Sequence, residues 1–270
     1  MTMATPATSP HVAHIPRTPN RDALRTLDVL GVRITDATIQ AAVTLMEGLI
    51  RLGHGRARSV YIVNAHTLNV ACDQPDYRAV LNSGDVVFAD GIGVRLAARL
   101  QGVRLSDNLV GTDLLPAFFK ATADRAYRYF LLGGRPGTAT RAVATLGHRF
   151  PGIRIVGHLD GYSHASDTGR IVSTINKAGP DMLLVGMGNP KQERWIAAHL
   201  PVLRVPLSIG VGGLFDHWAG HLRRAPRWIR AAGLEWTQIL MQQPHKWRRY
   251  ILGNPMFVAR IVRQRVDRRR

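Results

Sequence analysis

Six short apolar runs, at residues 60–63, 86–89, 129–132, 153–156, 182–185 and 207–209, recur along the chain, and each is followed by a turn and then by a helical pattern. A strand-turn-helix alternation of this kind can bury its apolar faces only as layers, so it predicts a largely parallel sheet covered by helices on both faces. Helical patterns read at 37–52, 75–83, 94–100, 113–123, 136–149, 166–177 and 190–200. Residues 1–26 lack periodicity and read as a flexible lead-in. The α/β domain is expected over 27–222, followed by a helical appendage over 223–270. At 270 residues and 46% apolar the chain is long enough to bury a full core.

In open sheets of this class ligands bind at the carboxyl ends of the strands, so the turns that follow the apolar runs belong together. They carry Asn64-Ala65-His66-Thr67, Asp90-Gly91-Ile92-Gly93, Gly133-Gly134-Arg135-Pro136-Gly137, Gly186-Met187-Gly188-Asn189-Pro190 and Gly210-Val211-Gly212-Gly213. The stretch GMGNPKQERW at 186–195 is the most informative. Its glycines let backbone approach a ligand, Pro190 suits a first helical turn, and the helix start behind it offers unpaired N–H groups to an anion. Gln192 stands at the mouth of that turn.

Several chemistries find no support. The 133–137 turn misses the G-x-G-x-x-G spacing and has no acidic ribose partner downstream, so no redox cofactor is expected, and no P-loop run is present. No His or Cys cluster has metal-ligand spacing. The single cysteine, Cys72, excludes an internal disulfide and fits a reducing compartment. No apolar run reaches the eighteen or so residues of a membrane span, and no export signal is read at the N-terminus.

Two groups are candidates for proton transfer. His66 sits alone near a strand end, where histidines more often serve packing. Asp90 ends an apolar strand and is followed by glycine, which leaves its carboxylate at a cleft rim where it can take a proton from an attacking hydroxyl. Asp is also a common helix cap, and position alone leaves both roles open.

The ordered set NAHTLN (64–69), ADGIGV (89–94), NLVGTD (108–113), LLGG (131–134), GMGNPKQERW (186–195), GVGGLFD (210–216) and RRAPRW with GLEW (223–236) resembles the WecG/TagA/CpsF family of bacterial glycosyltransferases, glycosyltransferase family 26. The resemblance covers roughly residues 27–258. It implies a Rossmann-like domain that moves a sugar from a UDP-sugar donor to a polyprenyl-diphosphate-linked saccharide, with inversion and without a metal or cofactor. Carried onto this chain, it puts the base on Asp90 and the other catalytic positions on Asn64 and Gln192. It further implies that Thr67, Asn108, Gly111, Thr112, Asp113, Gly133, Gly134, Gly186, Gly188, Gly212, Gly213, Phe215 and Asp216 bind substrate. Arg248 and Arg249 match appendage arginines that close over the site.

The chain departs from the pattern twice. Ile62 stands where some members have threonine, so a sugar contact made there is either lost or replaced by Thr67. Asn108 stands where many have arginine, and asparagine cannot neutralise a diphosphate. The N-x-x-G-T-D form is closer to a GumM-like exopolysaccharide subset, so the donor sugar need not be N-acetylmannosamine.

Charge points to a partner surface. The chain holds 36 Lys and Arg against 18 Asp and Glu, and residues 221–270 alone hold 13 basic residues against Glu235 and Asp267. Such a tail seeks a polyanion. Phe257, Val258, Ile261, Val262 and Val266 fall at helical spacing among arginines, which reads as a basic amphipathic helix lying on an anionic membrane. With the resemblance, this implies a peripheral enzyme on the cytoplasmic face of the bacterial membrane, and leaves homo-oligomerisation open. A nucleic-acid-binding module with Trp228, Trp236 and Trp247 as stacking platforms is the alternative. It does not account for five polar, glycine-bearing strand ends, so no nucleic-acid partner is expected.

Overall fold

The protein is described by a computed structural model over residues 24–53, 55–160 and 168–268. Nearly all of the expected lead-in, residues 1–23, lies outside the described residues, as do 166–167 of one expected helix and Arg269 and Arg270 of the tail. Eight strands form one sheet: β1 (Thr26–Val29), β2 (Val32–Thr35), β3 (Arg58–Val63), β4 (Val86–Ala89), β5 (Arg128–Gly133), β6 (Arg154–Leu159), β7 (Met182–Gly186) and β8 (Leu207–Gly210). Their order is β1-β2-β4-β3-β8-β7-β5-β6, and every pairing is parallel except β1 with β2. The expected α/β, mostly parallel architecture is the one observed.

Helices cover both faces. On one lie α1 (Ile39–Leu52), α5 (Gly111–Ala121), α6 (Thr138–Arg149) and α9 (Leu214–Trp218), packed on Val60, Phe88, Leu131 and Ile209. On the other lie α2 (Ala65–Asp73), α3 (Pro75–Ser83), α4 (Ile92–Leu100), α7 (Thr168–Ala178) and α8 (Lys191–His199), packed on Tyr61, Val87, Phe130 and Leu183. Strands covered on both faces need no polar alternation, which is why β4 and β7 read as unbroken apolar runs. The neighbours β3 and β8 send their following helices to opposite faces, α2 to one and α9 to the other. That divergence opens a crevice at their carboxyl ends.

The C-terminal region adds α10 (Arg227–Ala231), α11 (Glu235–Gln242), a short turn at Pro244–Lys246, a wide π-helical turn at Arg248–Leu252 and the long α12 (Gly253–Asp267). Helix α12 is docked on the α/β domain. Phe257 and Ile261 are buried against it, Asn69 Nδ2 donates to Gly253 O at 2.7 Å, and Arg260 bonds Asn69 O and pairs with Asp73. Farther along, Gln264 Nε2 and Arg268 both reach Asp28 of the β1–β2 hairpin at 2.7 Å.

Three features differ from the sequence expectation. The β1–β2 hairpin was not expected, because its strands are four residues each and joined by Leu30 and Gly31, both at positive φ. The 64–67 segment is the start of α2 rather than a turn, because Asn64 caps that helix. The apolar residues of the last helix do not form one face: Phe257 and Ile261 point into the domain, whereas Val258, Val262 and Val266 stay 41–46% exposed.

Candidate active site

The carboxyl ends of β3, β4, β5, β7 and β8 open into a cavity of about 910 Å³, walled on its far side by the C-terminal segments. Asn64, at the end of β3, caps α2 by accepting from His66 N at 3.1 Å and Thr67 N at 3.2 Å. With its oxygen so engaged, its amide N–H₂ is left to face Asp90, to which it hydrogen-bonds. Asp90, at the end of β4, does not cap α4: the N-cap is Gly91, and no side chain bonds there. Gly91 adopts φ 90 and donates its N–H to Asn108 Oδ1 at 2.7 Å, so Asn108 fixes the turn that carries Asp90. Burial, and then the like charge of Glu235, push the Asp90 carboxyl up to about 6, against the pull of Arg249, the Asn64 amide and Arg224. A carboxylate poised near neutral pH and open to a cavity is suited to general-base work.

The glycine turns form the cavity floor. A Cβ on Gly133, whose φ is 133, would stand 2.5 Å from the Gly186 carbonyl, so the β5 and β7 turns touch through backbone alone. Gln192 lies beneath these turns, only 1% exposed. Its Oε1 accepts from Gly188 N at 3.2 Å and Gly212 N at 2.9 Å, while its Nε2 donates to Glu193 Oε1 at 2.7 Å.

The opposite wall is cationic. Arg135, Lys246, Arg248 and Arg249 all line the cavity, together with His245 and with Trp236 stacked on Tyr250. Burial, then Arg249 and Arg135, push the Lys246 ammonium below its ordinary value. The same field acts on His66. Burial, Arg249 and Lys246 lower its pKa to about 4, which keeps the imidazole neutral and makes it a weaker base than Asp90. Cations crowded until they repel one another form a site that an anion would relieve. The buried Thr112 hydroxyl, also on the lining, has no hydrogen-bond partner among the described residues.

Of the residues singled out in the sequence, Asn64, Asp90, Asn108, Gly111, Thr112, Gly134, Gly186, Gly188, Gln192, Gly212, Gly213, Asp216, Arg248 and Arg249 meet at this cavity. Four do not. Thr67 is fully buried, with its hydroxyl 3.3 Å from Asn64 Oδ1, so it supports the cap and cannot serve as the sugar ligand in place of residue 62; Ile62 itself is on the lining. Gly133 lies under Gly186, and Phe215 is buried behind it. Asp113 turns to a neighbouring hollow of about 330 Å³, paired to Arg224 through bonds of 2.6 and 2.5 Å that hold its carboxyl below the usual range. Sequence reasoning put Arg135 in a strand-end turn without a role of its own, and did not single out Arg230, Glu235, His245, Lys246 and Tyr250 as lining residues. Arg230 and Glu235 fell within the 223–236 motif segment, and the other three carried only the signal of the basic tail.

The sequence profile of the Glycosyl transferase WecG/TagA/CpsF family matches residues 27–270. Among curated proteins, the N-acetylglucosaminyldiphosphoundecaprenol N-acetyl-beta-D-mannosaminyltransferase of Bacillus subtilis (strain 168) is 31% identical over 207 residues, covering 77% of this chain and 80% of that protein. The enzyme of the same name from Bacillus spizizenii (strain ATCC 23059 / NRRL B-14472 / W23) is 32% identical over 193 residues, covering 72% and 74%. A profile match over nearly the whole chain, with motifs that converge on one cavity, shows that the chain belongs to the WecG/TagA/CpsF family and is a glycosyltransferase.

Proposed function

We propose that the chain transfers a sugar from a UDP-sugar to a polyprenyl-diphosphate-linked saccharide by a single inverting displacement, in the synthesis of exopolysaccharide or another cell-surface polysaccharide. The observation that carries this reading is the pairing, across one cavity, of a raised-pKa carboxylate with a cationic wall. In the reaction the acceptor hydroxyl attacks the anomeric carbon, its proton passes to Asp90, and the bond from that carbon to the diphosphate oxygen breaks. The leaving diphosphate keeps the electron pair. Arg135, Lys246, Arg248 and Arg249 then stabilise the charge that develops on it, and the Thr112 hydroxyl offers a further donor. Cations in these positions do what a divalent metal does elsewhere, which supports a metal-independent reaction. The names of the Bacillus relatives support a lipid-diphosphate acceptor.

The acceptor's lipid implies a membrane surface. Among the described residues no helix is long and apolar enough to cross a membrane. The outward face of the appendage nevertheless presents Ile251, Val258, Val262 and Val266 beside Arg263 and Arg265, next to the cavity edge at Val258. An apolar stripe flanked by arginines suits peripheral attachment to anionic lipid at the cytoplasmic face. Of the three tryptophans in the nucleic-acid alternative, Trp236 is stacked on Tyr250 at the cavity, whereas Trp228 and Trp247 are exposed.

The test is release of UDP by the purified protein across a panel of UDP-sugars, with a short-chain polyprenyl-diphosphate N-acetylglucosamine as acceptor. Acceptor-dependent UDP release that survives dialysis against EDTA is expected. Release from no UDP-sugar, or activity lost to EDTA and restored by a divalent cation, would overturn the reading.

A further inference from the structure

Directly behind the cavity floor is a buried carboxylate that the displacement does not use. Glu193 is 0% exposed and is surrounded by donors: Tyr77 OH at 3.0 Å to Oε2, and Asn189 Nδ2 at 2.5 Å and Gln192 Nε2 at 2.7 Å to Oε1. Burial pushes its carboxyl up, and these hydrogen bonds pull the other way. The neighbouring Gln192 amide has one satisfactory orientation. Two backbone N–H groups, of Gly188 and Gly212, need an acceptor on one side, and the Glu193 carboxylate needs a donor on the other. Gln192 thereby ties the turn after β7 to the turn after β8, and it also fills the space beside Gly210, where a Cβ would stand 2.9 Å from Nε2.

We infer that Glu193 is a positioning residue for nucleotide binding: its carboxylate locks the Gln192 amide, and the locked amide holds the Gly186–Asn189 and Gly210–Gly213 turns in register as one binding surface. This rests on reading the cavity as a nucleotide-sugar site. A glutamine at 193 would put an N–H₂ where one carboxylate oxygen now accepts and would leave a single uncharged acceptor for the rest, so the Gln192 amide would be held in its orientation less firmly, chiefly by the Gly188 and Gly212 N–H groups. Neither side chain reaches the ligand in this scheme; both act through backbone.

Glu193→Gln, Gln192→Ala and the double variant, made in the full chain, test it by isothermal titration with UDP. Glu193→Gln is expected to weaken UDP binding by about tenfold and to raise the donor KM more than it lowers kcat. The same substitution in the Gln192→Ala background should add nothing further, because both changes remove one device. Full additivity, or unchanged UDP affinity in Glu193→Gln, would overturn the inference. Backbone hydrogen exchange supplies a second readout: in Glu193→Gln, or in Glu193→Asp if the first does not fold, the peptides spanning 186–190 and 210–213 should gain exchange together. Gain in one turn alone, or in neither, would equally overturn it. Wild type that fails to bind UDP would sink the functional reading, and the exchange experiment would still decide whether Glu193 couples the turns.

Discussion

Asp90 is costly to ionise where it stands, and that cost is a measurable signature. Its pKa in the fold, about 6, lies above the ordinary carboxylate value of 3.8. Folding therefore favours the protonated form. The resulting loss of stability grows as pH rises from the ordinary range through about 6, and stays constant above that. Asp90→Asn keeps the size and cannot ionise. Its melting temperature should match wild type at pH 4 and exceed it at pH 8; a variant less stable than wild type at pH 8 would show that Asp90 supports the fold. The residue was legible in the sequence because an acid followed by glycine at a strand end has few uses. What could not be read was whether Asp90 caps α4, and the structure excludes that role by making Gly91 the N-cap. Gln192 was legible by position only, because side-chain burial beneath the turns of two strands has no sequence signal.

At the scale of elements, the apolar strands of the parallel sheet were legible because both their faces are covered, and β6 was placed one residue early at its start. The β1–β2 hairpin was not, since two four-residue strands carry too little pattern. Helix α12 shows the limit of periodicity. Spacing groups Phe257, Val258, Ile261, Val262 and Val266, but only the position of α2 and α4 decides which of them are core. The two faces predict different phenotypes. Phe257→Ala removes a ring packed against Gly93 and should cost about 3–5 kcal/mol of stability. A Val258→Ser, Val262→Ser pair should leave the melting temperature within a degree or two while weakening sedimentation with anionic vesicles. Vesicle binding unchanged by the pair would remove the outward face from the membrane account.

For the molecule as a whole, fold and site are linked by topology. The divergence of α2 and α9 from adjacent strands opens the crevice, five strand ends line it, and an appendage docked through Phe257, Ile261 and Arg260 carries a cationic wall over it. The α/β domain supplies Asp90, the proposed base, and the appendage supplies most of the positive charge. Neither alone makes the site: in the sequence, Arg248 and Arg249 had a place over it only through the family resemblance, and Lys246 had none, because the docking of the appendage has no local sequence signal. The central claim is that Asp90 accepts the proton of the acceptor hydroxyl as UDP departs. The most direct test is the pH dependence of acceptor-dependent UDP release by wild type and Asp90→Asn. Wild-type kcat/KM should rise with pH through about 6 and then level, while Asp90→Asn should be slower by ~10²–10⁴-fold with that limb gone. Turnover by Asp90→Asn within a few fold of wild type, with the limb intact, would contradict it.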